Sequence, residues 1–79
     1  MDVMITEIQQ APMRETIRDA RGSAIGTVER QRQTWKLVAR DKSGVIVGIY
    51  DPRANETRDS RGRAIGRANL LAALLYRGR

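Results

Sequence analysis

Three aspartates recur in one spacing. Asp19, Asp41 and Asp59 each stand three residues before a glycine. Asp-x-x-Gly can carry chemistry, since in nucleotide-binding proteins such an aspartate reaches a magnesium ion. That role also needs a phosphate-cradling loop ending in Gly-Lys-Ser or Gly-Lys-Thr, and the chain has neither. Calcium would need a glycine-turned loop with several acidic positions, which is also absent. The chain contains no His and no Cys. The usual zinc sites and every Cys- or His-based nucleophile are therefore excluded. No acid and base pair converges among the remaining Asp, Glu, Arg, Ser and Tyr residues. The expectation is a chain with no catalytic residue, no cofactor, no metal and no small-molecule substrate.

The second chemical signal is arginine. The net charge is +6, with 15 Lys and Arg against 9 Asp and Glu. Residues 1–52 sum to only +1, whereas residues 53–79 hold seven Arg against Glu56 and Asp59. The guanidinium fork suits phosphate or carboxylate. Arg53, Arg58, Arg61, Arg63 and Arg67 are thus candidates for a phosphate-facing patch, with Arg77 and Arg79 near the end of the chain. Arg61 and Arg63 would share a face of a strand, and Arg67 lies beyond the next bend. A solvated basic surface with no ligand is the plainer reading of the same composition.

The elements that must hold these residues follow from turn chemistry. Asp at the first position of a type I turn accepts its own backbone N–H groups, and Gly three residues on takes the left-handed conformation. The full unit is Arg-Asp-x-x-Gly-x-x-(Ile/Val)-Gly. It begins at Arg18, Arg40 and Arg58, with turn glycines Gly22, Gly44 and Gly62. It predicts three β-hairpins with tips at residues 19–22, 41–44 and 59–62, each closed through a glycine bulge. The second glycines, Gly26, Gly48 and Gly66, fall inside strands, where glycine marks a bulge, a bend or a close backbone approach. The expected consequence is a sheet that curls into a small barrel or a flower of hairpins.

The connecting stretches complete the reading. Residues 1–9, with Val3 and Ile5, suggest a first edge strand, interrupted by Pro12. Residues 29–33 are polar throughout and read as an exposed turn. Trp35 is the only Trp in the chain and is expected as a core anchor. Residues 45–50 are unbroken apolar and glycine, as in a strand buried on both faces in mid-sheet. Asp51-Pro52-Arg53-Ala54-Asn55 reads as a turn. Leu70, Leu71, Leu74 and Leu75 form one face of a helix over about 69–77, with Asn69 as N-cap and Gly78 as C-cap. So short a helix is not stable alone and must pack on the sheet or on a partner.

A mainly β, single-domain fold with repeated antiparallel hairpins and one C-terminal helix is the result. Below about 80 residues a chain often needs disulfides, metal or self-association, and here only self-association is open. Val45, Val47 and Ile49, with Leu70, Leu71, Leu74 and Leu75, are the candidates for such a contact. The first residues are acidic with a short apolar run and do not read as a signal peptide. No apolar stretch approaches the ~20 residues of a membrane span, so the default expectation is a cytoplasmic protein.

The unit Asp59-Ser60-Arg61-Gly62-Arg63-Ala64-Ile65-Gly66, running on to Asn69-Leu70-Leu71-Ala72-Ala73-Leu74-Leu75, resembles the four-fold β-flower family of small bacterial and phage-borne proteins. The resemblance implies hairpins arranged as petals in pseudo-four-fold order, and it implies no activity. A fourth petal would have to come from residues 1–15 or from around Asp51 to Asn55. The function expected is a non-catalytic interaction or assembly module that self-associates. The alternative is a basic protein that contacts nucleic-acid phosphates without reading sequence.

Overall fold

In a computed structural model, residues 14–78 are described. The expected edge strand at residues 1–9, with Pro12, lies outside them, as does Arg79. Six strands follow in chain order: β1 Arg14–Arg18, β2 Ala24–Arg30, β3 Leu37–Asp41, β4 Ile46–Asp51, β5 Glu56–Asp59 and β6 Ala64–Gly66. One helix, α1 Leu71–Gly78, comes last. The strands form a single antiparallel meander, each paired with its sequence neighbours. The sheet is open, with β1 and β6 unpaired to each other, so the expected barrel closure does not occur. Asp51 to Asn55 joins the second hairpin to the third and forms no petal of its own.

The three tips fold as the repeat predicts. Gly22, Gly44 and Gly62 have φ of 85°, 89° and 85°, and each donates its N–H to the carbonyl of the tip aspartate at 2.9 Å. Each aspartate carboxylate also accepts two backbone N–H groups; for Asp19 these come from Arg21 at 2.9 Å and Ser23 at 3.0 Å. The motif's leading arginine is explained as well. Arg18, Arg40 and Arg58 each donate Nη1 to the carbonyl of the tip glycine, at 2.9, 3.1 and 2.7 Å. The arginine closes the turn over its own aspartate.

The (Ile/Val)-Gly step is a β-bulge in all three copies. Ile17 pairs with Gly26 and Arg18 with Ala24, which leaves Ile25 as the extra residue. Val47 and Ile65 are extra in the same way in β4 and β6. Two residues facing one partner turn the bulged side chain onto the same face as the glycine beside it. The glycines then leave room on that face. A Cβ on Gly26 would lie 2.6 Å from Leu75 Cδ2, one on Gly48 2.5 Å from Leu74 Cδ1, and one on Gly66 2.5 Å from Leu70 Cδ1. The three second glycines are a row of sockets across the sheet, filled by Leu75 and Leu74 of α1 and by Leu70 just before its first residue. The close approach is by leucine side chains and, at Gly26 and Gly48, also by the backbone carbonyls of Arg40 and Arg58 on the neighbouring strands.

Leu71 and Leu75, 1% and 2% exposed, complete a core with Ile25 and Ala39, flanked by Ile17, Val28, Leu37, Val47, Tyr50 and Leu74. Burying each such leucine contributes about 1.5–3 kcal/mol, which is what an eight-residue helix requires. Its start is fixed by side chains. Asn69 Oδ1 accepts the Leu71 N–H at 3.2 Å. The buried Thr57 hydroxyl accepts the Leu70 N–H at 3.0 Å and donates to the Ala68 carbonyl. Its last turn reaches the first hairpin, where the Tyr76 hydroxyl donates to the Arg18 carbonyl at 2.9 Å.

Two expectations are corrected. Trp35 is not a core anchor: it is 57% exposed at the β2–β3 turn, with φ of 62°. Local hydrogen bonding of that turn wins over the burial that its apolar area would favour. Nor is β4 buried on both faces. It lies inside the sheet, but among the described residues α1 packs on one face only, and Ile46 is 36% exposed on the other.

Candidate interaction surfaces

Because the meander is antiparallel, the three hairpin tips project from one end of the sheet. The β2–β3 and β4–β5 turns project from the other. This geometry divides the arginines expected to form one phosphate-facing patch. Arg61 and Arg63 are on the third tip. Arg53 and Arg67 are at the opposite end, where Arg67 Nη1 donates to the Ala54 carbonyl at 3.2 Å. Arg58 lies on β5 between them, bound to the Gly62 carbonyl and paired with Glu56 at 2.9 Å. Arg63 Nε pairs with Asp59 at 3.3 Å. The five do not gather into one patch.

Tip three shows how the turn holds its charge. The Asp59 carboxylate accepts the backbone N–H groups of Arg63 and Arg61, each at 2.9 Å. The Arg63 backbone bond is the chief reason its pKa lies below the ordinary aspartate value; desolvation opposes it, and the Arg61 N–H and the Arg63 guanidinium reinforce it. A carboxyl with a depressed folded pKa stabilises the fold above its unfolded pKa, about 3.9, and that contribution disappears as pH falls through the folded value. Asp59→Asn should accordingly lower the melting temperature at neutral pH and flatten its decline in acid. Melting curves recorded from pH 7 to pH 2 check this, and an acid limb unchanged in the variant would count against it.

The residues expected to make one self-association surface are also divided. Leu71 and Leu75 are core, and Leu70 and Leu74 sit in the glycine sockets, so the helix leucines are used within the chain. Val47 is a bulged residue on the helix side, packed against the core. Val45 is 60% exposed beside the second tip. Ile49 lies on the face opposite α1, paired with Val38 and Arg58.

Alternation along β4 would place Val45, Val47 and Ile49 together. The bulge at Val47 breaks that alternation and sets Ile46 and Ile49 on one face. Ile46 was missed for this reason, although the in-strand Gly48 carried the signal of a bulge. Ile46 and Ile49 line a concavity of about 590 Å³, bordered by Lys36 and Arg58 and by Asp51 and Glu56. Val38, 3% exposed, lies beside Ile49 in the same cross-strand row, which runs Arg14, Glu29, Val38, Ile49, Arg58, Ala64.

Among the described residues no three of His, Cys, Asp and Glu gather as a metal site, and no helix is long and apolar enough to cross a membrane. In comparisons with protein-family models, curated proteins and solved structures, nothing matches this chain.

Proposed function

We propose that this chain is a non-catalytic assembly module that pairs with a second copy of itself through the face of its sheet opposite α1. The observation that supports this reading is the concavity floored by Ile46 and Ile49 with both signs of charge on its border. A two-fold contact sets one patch against itself, so each border group must meet a suitable partner from the same set. Lys36 against Asp51 satisfies that condition, with Arg58 and Glu56 already paired within the chain, whereas a border of one sign would repel its own copy. The size of the chain points the same way, since 79 residues without cysteine gain from association.

Sedimentation velocity over a range of concentrations tests the reading. The wild type should show a concentration-dependent dimer or larger species. Ile46→Asp, at an exposed position, should shift it to monomer while leaving the melting temperature within a few degrees. A wild type that stays monomeric into the millimolar range would remove the proposal.

A further inference from the structure

The misplaced tryptophan is the most unusual surface feature of the chain. Trp35 is 57% exposed and adopts φ of 62°, a conformation that bulky residues rarely take. Its turn is nevertheless well bonded. Trp35 N–H donates to the Gln31 carbonyl at 2.9 Å, and Gln31 N–H to the Lys36 carbonyl at 2.8 Å. The Thr34 hydroxyl bridges the turn, donating to Gln31 Oε1 at 2.9 Å and accepting the Lys36 N–H at 3.3 Å. The ring is thus displayed by an ordered support, and little ordering cost remains for a ligand to meet.

Its neighbours define what that ligand is. The Arg30 guanidinium lies 5.6 Å from the ring centroid. From Arg30 to Lys36 the chain reads Arg-Gln-Arg-Gln-Thr-Trp-Lys, with three basic residues and no acidic one. An exposed aromatic ring amid cations is the arrangement that holds single-stranded nucleic acid, where a base stacks on the ring and the backbone meets the charges. We propose that the Gln31–Lys36 turn is a binding site for single-stranded nucleic acid, with an unpaired base stacked on Trp35 and flanking phosphates on Arg32 and Lys36. A single ring reads no sequence, because every base has a flat face. The site shares the border residue Lys36 with the concavity proposed for assembly but not its Ile46 and Ile49 floor, so Trp35→Ala and Ile46→Asp test the two readings separately.

Trp35 is the only Trp, so its fluorescence reports the site without ambiguity. The wild-type protein would be titrated at low salt with a short oligothymidylate, with inorganic polyphosphate of equal charge, and with anionic phosphatidylglycerol vesicles. Strong quenching by the oligonucleotide and little by polyphosphate is expected. Anisotropy of a labelled oligonucleotide should show Trp35→Ala binding about tenfold or more weakly, with Trp35→Phe retaining most of the affinity. Circular dichroism would establish that both variants are folded. Equal weakening in the two folded variants would overturn stacking. So would polyphosphate quenching as strong as that of the oligonucleotide, or no oligonucleotide response at low salt. A blue shift on vesicles alone would assign the turn to a lipid surface and overturn the proposal.

Discussion

Leu71→Ala should remove a large part of the stability of this fold. Leu71 is 1% exposed and lies at the first turn of α1, beside Leu75 and Ala39. Truncating a buried leucine costs about 2–5 kcal/mol, against a total of about 5–15 kcal/mol for an ordinary domain. A domain of this size should lose at least ~10 °C in melting temperature, and the variant is expected to be partly unfolded at 37 °C. Thermal denaturation followed by circular dichroism measures it. A loss of only a few degrees would mean that α1 covers the sheet without holding it together.

The second large effect concerns the glycine sockets, and here the three copies should differ. A Cβ at Gly48 would lie 2.9 Å from the Arg58 carbonyl oxygen as well as against Leu74. At Gly26 it would meet the Arg40 carbonyl oxygen as well as Leu75. At Gly66 it meets only the Leu70 side chain. A leucine methyl can turn aside, but a paired strand cannot. Gly26→Ala and Gly48→Ala should therefore each cost about 1–3 kcal/mol, the range for overpacking a core, and Gly66→Ala distinctly less. Denaturant midpoints of the three variants give the ranking. Equal costs would show that the strand carbonyls add nothing to the penalty beyond what the three sites share.

What could be read from the sequence divides along the range of the forces involved. The tips were legible because Asp19, Asp41 and Asp59 act on backbone groups within four residues. The helix was legible because its leucine period and Asn69 cap are local as well. The purpose of Gly26 was not, since Leu75 lies 49 residues further along the chain. The unbroken apolar run of β4 suggested burial on both faces and did not place the bulge at Val47, which sets which of its residues share a side. The in-strand glycines suggested a sheet curled into a small barrel or a flower of hairpins; they accommodate leucines, and the sheet does not close into a barrel. Trp35 was misjudged by residue type, because its exposure follows from how the β2–β3 turn is bonded. The candidate surfaces inherit these limits: Ile46 and Trp35 emerge only once the bulge and the turn are seen.

The order of the strands bears on how the chain acquires its structure. Every strand pairs only with those next to it in sequence, from β1 through β6. Each hairpin can close on its own tip, and no pairing waits for a distant segment. Chains with such local contacts fold quickly, because little loop entropy is lost before a contact forms. The helix is the exception. It is synthesised after the sheet, and its Tyr76 must reach back 58 residues to Arg18. The nascent meander therefore presents its Ile25 and Ala39 face to water until Leu71 and Leu75 emerge. The last eight described residues act as the latch that turns three independent hairpins into one cooperative unit.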